Sequence, residues 1–548
     1  MTARAPAAHR MLPRLSLLAA LAGCASSSIE FPRSDDTEPR RDDTDSEDTD
    51  TTGDTGDTDA PAVIVGEMSV APNPANPFSA LVTVTVDHDA DVWVAYGEGA
   101  TDHETPRVRA RAGEPTQVVV LGLRAERDFD LLGRAEQGAS NWTSRPEQYT
   151  TPSLDRDWPE CTPTFHAPES EFDDDEVVCT NMSSPNGALW YGCVDRWGTP
   201  VHTLRTDDND SLMSMRKLRA GGWASTSLTS SKLAFFDETS AQIAQLGTPW
   251  LDGRARFQHD WIDSHEIYEV PGGTWEGQIA FITATTEWMS DGSYKNGNGI
   301  VVMDPALRTV LYDYSFHGVL GDEIAMDDAV PYDRPGYGDY YEDWNHANTL
   351  ITDVDADGRD FFLVSLKSQD WIVKLYPDTD SVAWRLGYGG DFTLVDDIDA
   401  ASPRTLDPTL WPYHQHGITF VERLPGRYRL LMYDNGVGRI DAAGNQRWDL
   451  AKSRAIVMDI DETTMLAEVV WQWPELEDAR LFSDICGNAE LLPDDDAVLV
   501  LDGAYHHVTE VSYPAAERRW EMTCGSVEVC SYRMRYAPDL YSFTWDDR

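Results

Sequence analysis

The chain has 548 residues, three to four times the ~150 of a typical domain, so it holds one very large fold or several modules. Its 95 Asp and Glu against 43 Lys and Arg give 43 − 95 = −52 with neutral histidines, which excludes a nucleic-acid phosphate backbone as partner. Hydrophobic residues at 41%, aromatics at 10% and 19 Trp exclude a chain disordered throughout, and no apolar run approaches the ~20 residues of a membrane span.

Residues 1–24 read as a signal segment. Arg4, Arg10 and Arg14 precede a short apolar stretch, 15–22, that ends in Leu21-Ala22-Gly23-Cys24. The pattern resembles a bacterial lipoprotein signal with its lipobox. That resemblance implies lipidation of Cys24 as the mature N-terminus, and Ala25 after it points to export and the outer membrane, on its periplasmic or its outer face. Residues 25–62 form a Ser/Thr/Asp tract with almost nothing apolar to bury. It cannot offset the entropy of ordering and its like charges repel, so it is expected to be an extended, disordered tether.

From 63 to 152 the pattern turns to period-two alternation, as in Leu81-Val82-Thr83-Val84-Thr85-Val86 and Val92-Trp93-Val94-Ala95-Tyr96. Short strands separated by Gly, Pro and charged turns over this length predict an immunoglobulin- or fibronectin-like β-sandwich. The six cysteines after Cys24, namely Cys161, Cys179, Cys193, Cys486, Cys524 and Cys530, predict disulfides in an exported chain. They allow 15 connectivities, with bridges expected inside the early trio and inside the late trio.

Residues 153–548 repeat loosely in units of roughly 40 to 80 residues, each with about four strands' worth of sequence, which predicts a β-propeller of about six blades. Units open on a polar or histidine-bearing strand, at Gln258-His259-Asp260-Trp261, at Asn345-His346-Ala347-Asn348, at Gln415-His416-Gly417 and at Cys486-Gly487-Asn488. The first strand of each propeller blade lines the central channel. His259, His346 and His416 are therefore expected in one slot, converging on the axis. Asp353-Val354-Asp355-Ala356-Asp357-Gly358 looks like the start of a calcium loop, but Val364 stands where such a loop needs its bidentate Glu, so a hairpin turn is expected.

The stretches Phe257-Gln258-His259-Asp260, Asp343-Trp344-Asn345-His346-Ala347-Asn348, Trp411-Pro412-Tyr413-His414-Gln415-His416, Tyr433-Asp434-Asn435-Gly436 and Ser453-Arg454-Ala455 together resemble the bacterial arylsulfate sulfotransferase family. That resemblance implies an all-β chain with an N-terminal sandwich and a six-bladed propeller. It also implies transfer of a sulfuryl group from an aryl sulfate to a phenol through a sulfated histidine, with no nucleotide donor and no cofactor. Carried over by motif, His416 is the nucleophile, while His346, Asn348 and His259 hold sulfuryl oxygens or exchange protons with the phenol. The family's Ser-x-Arg reads Ser365-Leu366-Lys367 here, so the cation is a lysine, a point charge where arginine offers a fork. Trp344, Trp371, Trp411 and Tyr413 are candidate walls for an aryl ring, and His414 competes with His416 as the reactive residue. A homodimer is compatible with all of this. The residues alone leave two other readings open: a binding or scaffold propeller without catalysis, and a metal enzyme with zinc or copper on three histidines.

Overall fold

The computed structural model describes residues 65–541, apart from 155–157, 184–188, 209, 289–293, 321–341, 476–481, 495 and 526–529. The signal segment, Cys24 and the acidic tether lie outside the described residues.

In the first part, Ala80–Val86 buries Ala80, Val82, Val84 and Val86 and turns the residues between them outward. The strand pairs with Gly66–Pro72 on one side and Thr116–Val120 on the other. A second sheet is built on Ala90–Gly97 against Asp128–Gln137. Val82, Val84 and Val120 from the first sheet and Val92, Val94 and Leu131 from the second share one apolar core, so alternation in sequence becomes two facing sheets.

Among the described residues the remainder is nearly all-β, with one short helix at Phe316–Leu320, and propeller-like: six successive antiparallel meanders of four strands, some with an added edge strand. The strands needed below are β1 (Cys161–Phe165), β2 (Val177–Ser183), β3 (Leu212–Lys217), β4 (Trp261–Glu269), β5 (Ala347–Val354), β6 (His416–Leu424), β7 (Asn488–Leu491), β8 (Arg518–Cys524) and β9 (Met534–Ala537). Strands β3 to β7 each open one meander, and each touches the next: β3 with β4, β4 with β5, β5 with β6, β6 with β7. The first meander, which contains β2, takes its fourth strand, β9, from the far end of the chain, and β9 in turn touches β7. Inner strands packed between neighbouring sheets lose alternation altogether. Ala497–Asp502 is buried at every residue, as a continuous apolar run covered on both faces must be.

The outer edge of the sixth meander is closed by β1, which lies antiparallel to β8 with Cys161 opposite Cys524. These two cysteines are bonded across 363 residues. Cys179–Cys193 and Cys486–Cys530 pair inside their own groups, but Cys161 crosses from the early trio to the late one. The correction has a simple cause, because the strand before the first sheet is added to the last. The sandwich is fastened by buried polar contacts, with Asn76 Nδ2 2.8 Å from His202 Nδ1 and the Leu121 amide donating to the Tyr541 hydroxyl at 2.7 Å.

Candidate active site

Backbone geometry sets the register of the inner strands. His346, His414 and Cys486 adopt left-handed φ of +46°, +53° and +61°, a conformation that non-glycine residues hold only where the surroundings impose it. Two residues after each stand Asn348, His416 and Asn488. His346 is therefore equivalent to His414 and not to His416, so the expected single histidine slot is two slots. In the second slot Asn348 Nδ2 donates to the Gln415 carbonyl at 2.7 Å, and Asn488 Nδ2 donates to the Met534 carbonyl at 2.9 Å. Each amide ties its sheet to the next. His416 breaks that pattern and bonds within its own sheet, which leaves one ring nitrogen for chemistry. Gly417 beside it has φ +63°, and a Cβ there would come within 2.5 Å of the Asn488 Cβ. Only glycine lets the next sheet approach so closely.

His416 is buried, and its Nδ1 lies 2.7 Å from Asn435 Oδ1 and 3.1 Å from the His414 carbonyl. Asn435 donates through Nδ2 to the carbonyls of Ser483 and Cys486, at 2.7 and 2.9 Å. Its Oδ1 must therefore accept, and a backbone carbonyl can only accept. Both partners demand a proton on His416 Nδ1, so the neutral ring keeps its lone pair on Nε2. Burial, and after it the charge of Lys367, holds the His416 pKa well below the usual histidine value, while the Asn435 bond works the other way. The ring is thus an uncharged imidazole at neutral pH with a defined nucleophilic nitrogen.

A second pair of imidazoles lies close by. His346 Nε2 is 3.2 Å from Nε2 of His265, a residue of β4, with ring centroids 4.7 Å apart and edge to face. His265 Nδ1 in turn contacts Asp263 Oδ1. Burial pushes Asp263 upward, yet the His265 charge, its hydrogen bond and the His346 charge together bring it below the ordinary carboxylate value. Tyr532 links the pair to the nucleophile, its ring centroid 5.2 Å from that of His265 and 6.2 Å from that of His416. Lys367 is buried, and its amide donates to the His346 carbonyl at 3.1 Å.

His416, His346 and Lys367 are therefore brought together, and the third histidine is His265 where the sequence pattern pointed to His259. His259 is buried, its Nδ1 2.7 Å from the Thr283 hydroxyl and its Nε2 3.5 Å from Asp313. The misreading has a cause in the register of β4, which slips between Ile262 and Ile267 and projects Asp263 and His265 from the bulge. Both strands share an Asp-Trp dyad, Asp260-Trp261 and Asp343-Trp344, but Trp344 stands two residues before His346 and Trp261 four before His265, so a count from the dyad lands on Asp263 and misses the histidine.

The aryl walls are also corrected. Trp344 is wholly buried and stacks on His317 at 4.5 Å. Tyr413 is buried under Arg439 and donates its hydroxyl to the Pro408 carbonyl at 3.0 Å. Trp411 belongs to the same core, and half-buried Trp371 packs against it while donating its indole N–H to the Tyr388 carbonyl. Large aromatics in this chain mostly fill the space between sheets. Asn348 likewise commits its amide to the Gln415 carbonyl, and its own carbonyl accepts from Tyr532 and Arg533. His414 gives its amide to Asp370 at 2.7 Å and its carbonyl to His416, so it supports the nucleophile. Asp370 is largely shielded from solvent, and that desolvation pushes its carboxyl up to about 7. Among the described residues no group of three or more His, Cys, Asp or Glu is placed to hold a metal ion. The Asp355 turn is tied up too, its carboxylate accepting from Lys374 and Tyr428.

Comparison with known proteins gives one family match: the Arylsulfotransferase (ASST) family model covers residues 192–533. No curated protein matches. Similar solved structures include a protein of unknown function from Bacteroides caccae, 9% identical, with a TM-score of 0.35 over 66% of this chain and 98% of that one. The Kuenenia stuttgartiensis hydrazine synthase is 11% identical, with a TM-score of 0.31 over 61% and 75%. A periplasmic gluconolactonase of Pseudomonas aeruginosa is 9% identical, with a TM-score of 0.30 over 66% and 99%.

Proposed function

The chain belongs to the arylsulfotransferase family, and we propose that it moves a sulfuryl group from an aryl sulfate to a phenol by way of a sulfated His416. The observation that carries this reading is the orientation of the His416 ring, whose Nδ1–H is held by Asn435 and the His414 carbonyl. In the first step the Nε2 lone pair forms the N–S bond as the aryl S–O bond breaks, its electron pair leaving on the aryl oxygen. His346 supplies the proton that oxygen needs. In the second step the acceptor phenol gives its proton to His346 while its oxygen attacks sulfur, and the N–S pair returns to His416. One site thus serves donor and acceptor in turn.

Negative charge spreads over the sulfuryl oxygens during both steps. The Lys367 ammonium, buried beside His416, is the cation assigned to it, and its worth is greatest in a site that excludes water. The same charge keeps His416 unprotonated. A lipid anchor at Cys24 and an outer-membrane location complete the proposal. They rest on the Leu21-Ala22-Gly23-Cys24 motif, and metabolic labelling with a fatty acid, lost in Cys24→Ala, tests them.

The test of the activity is acceptor-dependent release of 4-nitrophenolate from 4-nitrophenyl sulfate, compared with His416→Ala. The expected result is release that stops in the variant, together with an acid-labile sulfuryl group on the His416 peptide when acceptor is omitted. A folded protein that turns over no aryl sulfate with any phenol would overturn the proposal in favour of a binding role.

A further inference from the structure

We propose that Asp263 is a positioning residue that keeps His265 protonated at Nδ1 and so makes the His265–His346 pair the proton store for the phenolic oxygen. The inference rests on the sulfuryl-transfer reading for its chemistry, and on geometry of its own for the hydrogen-bond chain. Asp263 is placed by one amide that spans two sheets. Asn298 accepts from the Ala347 amide at 2.8 Å and donates through Nδ2 to Asp263 Oδ2 at 3.1 Å and to the Thr283 carbonyl at 3.2 Å. The strand that begins one residue after His346 is thereby held in register with the carboxylate, whose other oxygen faces His265 Nδ1.

A carboxylate only accepts, so His265 Nδ1 carries a proton. Two Nε2 atoms 3.2 Å apart can then share one proton between them. The other charged and titratable neighbours do not compete for this role. Glu266, next along β4, is bound to Arg533 and faces Arg216 at 3.4 Å. Tyr532 gives its hydroxyl to the Asn348 carbonyl at 2.8 Å. His416 commits Nδ1 to Asn435, and Lys367 is a cation. Asp263 is the carboxylate left facing the histidine pair among the described residues.

The proton count closes. In the loaded state His265 carries protons on Nδ1 and Nε2, and His346 carries one on Nδ1. As the aryl oxygen departs with the S–O electron pair, it takes the His346 Nδ1 proton, and the His265 Nε2 proton passes to His346 Nε2. His265 keeps its Nδ1–H on Asp263 throughout. When the acceptor phenol attacks, its proton enters at His346 Nδ1 and the Nε2 proton returns to His265. The carboxylate stabilises the imidazolium and fixes its orientation, as the buried Asp of a Ser-His-Asp triad does for its histidine, and never takes the proton itself.

The experiment uses the full mature chain and two donors, 4-nitrophenyl sulfate, whose phenolate leaves unprotonated, and phenyl sulfate, whose phenolate needs a proton. Asp263→Asn is expected to lower kcat/KM for phenyl sulfate by about 100-fold or more and for 4-nitrophenyl sulfate by less than about 5-fold. Asp263→Glu is expected to recover part of the phenyl sulfate rate. Equal losses on both donors would overturn the proposal. Nitrogen-correlated NMR of the unmutated protein gives a readout without turnover: His265 must carry a strongly downfield Nδ1–H. A His265 protonated only at Nε2 overturns the proposal even where sulfuryl transfer is confirmed. The downfield signal in a protein that transfers no sulfuryl group would sink the function and leave the Asp263–His265 pair standing.

Discussion

Replacing Asn435 by alanine separates orientation of the nucleophile from its protonation. The Asn435 bond favours the charged form of His416, against burial and the Lys367 charge, which depress it. Removing it moves the His416 pKa further down, so the ring stays neutral and the acid limb of the rate profile cannot move upward. Any loss of rate must come from the tautomer. The His414 carbonyl at 3.1 Å still accepts from Nδ1, so the loss is one hydrogen bond and not an orphaned donor. That is worth about 1 to 2 kcal/mol, or roughly 5- to 30-fold in kcat/KM. Stability suffers separately, because the Cys486 carbonyl loses its amide donor, at about 1 to 3 kcal/mol, while the Ser483 carbonyl keeps the Ser453 hydroxyl at 3.3 Å. The assay is the initial rate of 4-nitrophenolate release at saturating acceptor across about pH 5 to 8, beside thermal unfolding. A variant that is folded, melts lower and keeps kcat/KM within about twofold would refute the argument that Asn435 sets the reactive nitrogen.

Lys367→Met is expected to lower the plateau of kcat/KM about 100-fold and to move its acid limb upward, since the Lys367 charge depresses the His416 pKa; Lys367→Arg should keep the limb where it is. Paired serine replacements should rank the disulfides in denaturant unfolding: Cys161–Cys524, closing 363 residues, is worth up to about 6 kcal/mol by chain entropy, against about 3 for Cys179–Cys193 with its separation of 14. Burial lowers His202 to about 3, below its unfolded value of about 6.5. Its contribution to stability is complete above that unfolded value and is lost as pH falls, by up to about 1.4 kcal/mol per unit, so His202→Gln should flatten the stability profile between about pH 6.5 and 4. Trp344→Phe is expected to lower Tm and leave KM for aryl sulfates unchanged, because the indole stacks on His317 inside the core.

Much of this architecture can be read from residue order, because alternation, turn spacing and repetition report local backbone geometry directly. The strand Ala80–Val86 and the inner strands beginning near His346 and His416 fall where the pattern puts them. The site is harder to read. His265 hides because a bulge in β4 displaces it from the regular count, and Asp263 looks like any acidic residue in an acidic chain. Tyr532 carries no motif, and the Tyr433-Asp434-Asn435-Gly436 motif does not say what the Asn435 amide binds; both matter through contacts to which a linear count is blind. Trp344 and Tyr413 mislead for the opposite reason, since residue type fixes neither the side of a strand nor the gap it fills. Cys161 pairs far along the chain because the strand that carries it is added to the last sheet.

That exchange of strands fixes when the sheets can close on the His416 cluster. The chain is made from its N-terminal end, so β2 waits for β9 and β1 waits for β8. Tyr532 and Arg533, which hold the Asn348 carbonyl and face His265 and Glu266, emerge among the last described residues. A nascent chain stopped short of them has its histidines in hand and lacks the contacts that join them.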